Sequence, residues 1–136
     1  MKHWLVKTEP ETYGWADLVS KKEDIWDGVR NYQARNFLKD MAEGDLVMVY
    51  HSGKHREVVG LAKVSEESFP DPADEEGKGW VAVRLAAENE LKRPVTLQEI
   101  KGQEELSEML LLKQSRLSVM PLTANEFDFI LQLAEK

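Results

Sequence analysis

The sequence has no cysteine, no long apolar run and too few cations for its acids. Without cysteine there is no disulfide, thiolate metal site or thiol nucleophile. That fits a reducing compartment, and a cytoplasmic location is expected. No apolar run approaches the roughly 18 residues of a membrane-spanning helix, so neither a signal peptide nor a membrane span is expected. The 18 Lys and Arg are outnumbered by 25 Asp and Glu, for a net charge of −7. Such a balance argues against coating nucleic acid by bulk electrostatics. There is no internal repeat and no linker long enough to split the chain, so residues 1–136 are expected to form one domain with one core.

The charge is uneven. The first sixty residues hold nine cations against ten acids, and the remainder nine against fifteen. A polyanion would therefore meet the first half, with Arg30, Arg35, Lys39, Lys54 and Arg56 as local contacts or, equally, as solvated surface charges.

Within that half, residues 26–37 concentrate groups with directional bonding: Trp26, Asp27, Arg30, Asn31, Tyr32, Gln33, Arg35 and Asn36. Asp27-Gly28 reads as a turn needing positive φ. Asn31 reads as a helix cap, with Ala34, Phe37, Leu38 and Met41 spaced as one apolar face. Trp26, Arg30, Asn31, Tyr32 and Arg35 would then face outward. Aromatic faces stack on flat rings, amides pair with base edges, and guanidinium stacks or grips phosphate. On residue types alone, a packed Trp beside a surface ion pair explains the block as well as a nucleotide site does.

His3–Thr8 reads as a strand ended by Glu9-Pro10, and Gly14 as the cap of a short helix with Asp17 three residues on. Tyr13 either lines a site or packs on the first strand. Lys21–Asp24 reads as a solvated stretch. Leu46–Tyr50 is a buried strand delivering Tyr50, His51 and Ser52 at its end. His51-Ser52 is no catalytic pair, because neighbours on a strand point to opposite faces; Ser52 is expected to hydrogen-bond a ligand and His51 to be structural. Glu57–Val64 follows as a strand, with Gly60 marking a close approach or a bulge. Ser65–Gly79 reads as an acidic, proline-containing loop without the alternate spacing of a calcium site, so no metal is expected. Trp80–Ala86 is a further strand. Thr96 with Glu99, and Thr123 with Glu126, are capping boxes, the second opening a helix with Phe127, Ile130, Leu131 and Ala134 inward. Leu106–Leu112 reads as a short helix. Arg116–Val119 reads as a returning strand on which Arg116 and Ser118 share a face.

The block WDGVRNYQARN, preceded by Trp4-Leu5-Val6-Lys7-Thr8-Glu9-Pro10, resembles the EVE domain family. Gly44-Asp45, Tyr50-His51-Ser52, Val59-Gly60, Pro70-Asp71-Pro72 and Arg116-Leu117-Ser118-Val119 continue the match in order. The resemblance implies an α+β, PUA-like fold: a small barrel of mixed, mostly antiparallel strands with helices around it. It also implies a non-enzymatic reader of a modified base in DNA or RNA, with no cofactor. Trp26, with Tyr32 or Trp4, would be the stacking wall. Asn31 and Ser52 would read the base edge, and Arg30, Arg35 and Lys7 would hold phosphates. Tyr13, Tyr50, Arg116 and Ser118 complete the expected site. The alternative is an enzyme acting on a nucleotide or modified nucleoside, with Lys7 and Glu9 as acid and base. A third reading is a protein-interaction module using the acidic segment 65–79.

Overall fold

The computed structural model describes residues 1–136. It contains six strands: β1 (His3–Thr8), β2 (Glu23–Trp26), β3 (Leu46–His51), β4 (Glu57–Pro70), β5 (Val81–Thr96) and β6 (Val119–Leu122). The helices are α1 (Trp15–Lys21), α2 (Tyr32–Asp40), α3 (Leu97–Lys101), α4 (Leu110–Lys113) and α5 (Ala124–Ala134), with one 3-10 turn at Glu104–Leu106. The strands form one sheet in the order β2-β5-β4-β3-β1-β6. Only β1 and β3 run parallel; every other neighbouring pair is antiparallel.

The expected barrel is corrected here. The ladder is linear, and its end strands β2 and β6 do not pair, so the sheet is open. Helix α2 packs against β6 at one end and β5 near the other, occupying the space where closing strands would meet. The architecture is therefore α+β with a mixed, mostly antiparallel open sheet. The sheet still bends. The register slips between Val49 and Tyr50 opposite Val58 and Gly60, as a bulge requires. Gly60 also lies against the Trp15 ring, where an added Cβ would fall 2.4 Å from Cε2.

Several expectations hold. Gly14 caps α1, and its N–H is bonded by Asp17 Oδ2 at 2.7 Å. The Thr123/Glu126 box is complete. At α3 only Thr96 caps; the Glu99 carboxylate instead takes the guanidinium of Arg93, at 2.7 and 2.9 Å. Others are corrected. The segment 23–26 is strand β2, paired with β5. Strand β4 runs on to Pro70: Glu66 and Glu67 are both exposed on it, and Glu66 pairs across the ladder with Arg84. The returning strand β6 begins at Val119, so Arg116 and Ser118 precede it.

Two sequence-nominated residues belong to this framework. Trp4 is buried, and its indole N–H donates to Asp45 Oδ2 at 3.0 Å. Asp45 also accepts from the N–H groups of Lys2 and Ala42. Burial alone would raise its carboxyl, but these bonds outweigh burial and hold it below the usual range. His51 Nε2 accepts the Trp15 N–H at 3.0 Å, so it is structural and neutral, with burial pushing its pKa down.

Candidate functional site

A cleft of about 650 Å³ opens where the chain leaves β2. Gly28, at φ 80°, turns the backbone after Trp26, and Asn31 Oδ1 then accepts the Ala34 N–H at 2.9 Å to start α2. This places Trp26 at the base of the cleft, 8% exposed, with Tyr13 meeting it edge-on at 6.0 Å and 84°. Edge-to-face contact holds the two rings against each other, and Trp26 is also part of the hydrophobic core.

Tyr13 is anchored from below. Its hydroxyl donates to Asp24 Oδ2 at 2.7 Å, and Lys21 Nζ reaches the same oxygen at 3.2 Å. Burial and the Asp24 contact push the Tyr13 phenol well above its ordinary value. Burial would raise Asp24, but the bonds from Tyr13, the Ile25 N–H and Lys21 overcome it and lower its pKa. Across the cleft, Lys7 Nζ donates to the Ser115 carbonyl at 2.8 Å, and partial burial lowers its pKa. Asp27 and Ser118 line the space with no side-chain hydrogen bond inside the protein.

The turn itself is pinned by Asp71. Its side chain is fully buried, and Oδ2 accepts from the Gly28 N–H and from Arg30 Nη1, both at 2.9 Å, while Oδ1 takes the Ala73 N–H at 2.7 Å. Burial would raise this carboxyl, yet those donors hold it below the usual range.

The cleft thus brings together Lys7, Tyr13, Trp26, Arg30 and Ser118. Asn31 and Arg116 instead line a separate polar depression beside the start of α2. Tyr32 and Arg35 stand outside the cleft on the ring of Trp80. Tyr50 is buried, with Lys7 Nζ 5.8 Å from its ring centre, and Ser52 donates its hydroxyl to the Thr8 carbonyl at 3.3 Å. Glu9 lies over Gly53, 2.5 Å from where a Cβ would sit, and does not line the cleft with Lys7. Residues the sequence did not single out are Asp24, Asp71 and Trp80. Only Asp71 left a signal, the acid enclosed by two prolines at 70–72. No group of three or more His, Cys, Asp or Glu is placed to hold a metal ion.

The family model described as the EVE domain matches residues 2–133. Human thymocyte nuclear protein 1 is 36% identical, over 98% of this chain and 74% of its own length. A Rhodopseudomonas palustris protein solved by NMR superposes with a TM-score of 0.93 at 40% identity, covering 99% of this chain and 94% of that one. The human THYN1 protein, crystallised in complex with 5-methylcytosine-containing DNA, superposes at 0.92 with 37% identity, covering 100% and 99%. Relatives from human, mouse, chicken, rat and zebrafish all carry the name thymocyte nuclear protein 1. Those names point to the nucleus and overturn the expectation of a cytoplasmic location. Lack of cysteine does not separate the two compartments, both of which keep thiols reduced.

Proposed function

This chain belongs to the EVE domain family, and from that premise we propose that it is a non-enzymatic DNA-binding protein recognising a modified cytosine, 5-methylcytosine in the first instance. The observation that carries the reading is the human relative held in complex with DNA bearing that base, on a chain that matches this one end to end. The cleft supplies chemistry that suits it. A base leaves the stack at a cost of a few kcal/mol, recovered by stacking and by hydrogen bonds to its edge. Trp26, backed by Tyr13, offers the stacking wall. Asp27, an unpaired carboxylate, is an acceptor for the exocyclic amine of cytosine, and Ser118 can take the other edge. The 5-methyl group adds apolar surface against the indole. Lys7 and Arg30 supply positive charge beside the cleft.

The test is a titration of labelled single-stranded and duplex oligonucleotides, matched with and without 5-methylcytosine, at low and physiological salt. Wild type is compared with Trp26→Phe and Asp27→Asn. The expected result is tighter binding to methylated DNA, with Asp27→Asn losing roughly one to two decades. Asp27 is exposed, so its variant folds even where a change at Trp26 disturbs packing. Equal binding to methylated and unmodified DNA would overturn the reading.

A further inference from the structure

Outside the cleft stands an aromatic pair that the core does not use. Tyr32, the first residue of α2, is 66% exposed and stacks on Trp80 with ring centres 5.0 Å apart and planes 27° from parallel. Neither ring belongs to the hydrophobic core. Two guanidiniums flank them. Arg35 lies 5.0 Å from the Tyr32 ring centre and 5.8 Å from that of Trp80, and Arg30 lies 5.5 Å from Trp80. Arg30 is paired with Asp71. Arg35 has no carboxylate partner and reaches only the side-chain oxygen of its neighbour Asn36, at 3.3–3.4 Å. Other cations of the chain also lack a carboxylate, but Arg35 alone among them lies against both rings, where its guanidinium is free to meet an anion.

The pair is ordered in advance. The Trp80 N–H donates to Asp74 Oδ2 at 3.0 Å, and its carbonyl accepts the Asp71 N–H at 3.0 Å. The same Asp71 pins the cleft turn through Gly28, and Arg30 lines the cleft while lying over Trp80. Arg30 and the Asp71 bonds therefore link the cleft to the ring pair. A flat aromatic face next to a free guanidinium suits a nucleobase with its phosphate, and stacking of this kind tolerates any base.

We infer that the Tyr32–Trp80 pair with Arg35 is a second nucleotide station: it stacks the base next in the strand to the one held in the cleft, and Arg35 holds the intervening phosphate. This rests on the base-reading function proposed above and deepens it. The station would hold the unstacked neighbour and add affinity without adding sequence preference.

The test uses single-stranded pentanucleotides with a central 5-methylcytosine, flanked either by normal bases or by abasic sites. Wild type is compared with Tyr32→Ala, at an exposed residue, and Arg35→Gln, at a half-buried one. Wild type should bind the normally flanked strand roughly tenfold tighter than the abasic one, and Tyr32→Ala should abolish that difference. Arg35→Gln should lower the slope of log affinity against log salt by about one. If Tyr32→Ala weakens both strands equally, or neither, the station is overturned while the cleft reading stands. If wild type does not prefer the methylated strand over an unmodified control in either flanking context, the base reader itself fails and the station fails with it.

Discussion

Replacing Asp71 by Asn keeps the shape of the side chain and removes its charge. The buried carboxylate serves Gly28, Ala73 and Arg30. An amide has one oxygen, so whichever way it turns, its NH2 faces at least one backbone N–H. That forfeits a hydrogen bond to a charged acceptor, about 1.5–3 kcal/mol. The ion pair adds less, because the Arg30 side chain is 37% exposed and screened by water; about 1 kcal/mol is a ceiling. The expected loss is about 1.5–4 kcal/mol, or a Tm lower by roughly 5–12 °C for a chain of this size. Arg30→Gln, which removes the screened pair and the contact with Trp80 but leaves both backbone bonds to the carboxylate, should cost about 1 kcal/mol. The pH dependence gives an independent check. A carboxyl whose folded pKa is depressed contributes stability above its unfolded value, roughly 3.9, and loses it as pH falls through the folded value. The gap between wild type and Asp71→Asn should therefore be constant above about pH 5, begin to narrow near pH 4 and close only as pH falls through the depressed folded value. Urea unfolding across that range measures it. A gap no larger than that of Arg30→Gln, or one that widens in acid, would refute the account of Asp71 as the pin of the cleft turn.

Gly60→Ala should destabilise by about 1–3 kcal/mol or more, read as a lower urea midpoint, since the new Cβ meets the Trp15 ring at 2.4 Å. His51 accepts a backbone proton as the neutral ring, and burial lowers its folded pKa. Stability should accordingly fall as pH drops from about 6.5, the unfolded value, towards the folded one, and then level off. Urea midpoints for wild type and His51→Gln, whose amide oxygen can still accept, should diverge at neutral pH and converge in acid.

Features set by a few adjacent residues could be read from the chain. Asn31 caps α2 because its side chain needs only the amide three residues on. Thr123 and Glu126 form their box for the same reason. Leu46–Tyr50 was visible as a buried strand because its apolar residues are contiguous. What was not legible depends on distant partners. Glu66 reads as part of an acidic loop until Arg84 is placed opposite it. Asp71 reads as a turn residue until Gly28 and Arg30 arrive. Closure of the sheet depends on whether the space between its end strands is filled by pairing or by a helix, and no local pattern distinguishes α2 in that role. At the candidate site, the WDGVR turn marked the place. It did not mark Trp80 or Asp24, whose neighbours lie 48 and 11 residues away in Tyr32 and Tyr13.

Strand β1 lies between β3 and β6, so the first strand of the sheet in chain order is completed by the last. Until residues 119–122 emerge, Trp4, Leu5 and Val6 present an unpaired, apolar strand edge able to recruit another chain. Ser118, at the mouth of the cleft, immediately precedes that closing strand. The cleft is therefore complete only once residues 118–122 have joined the sheet, and a chain cut short before them carries the exposed edge without the finished site.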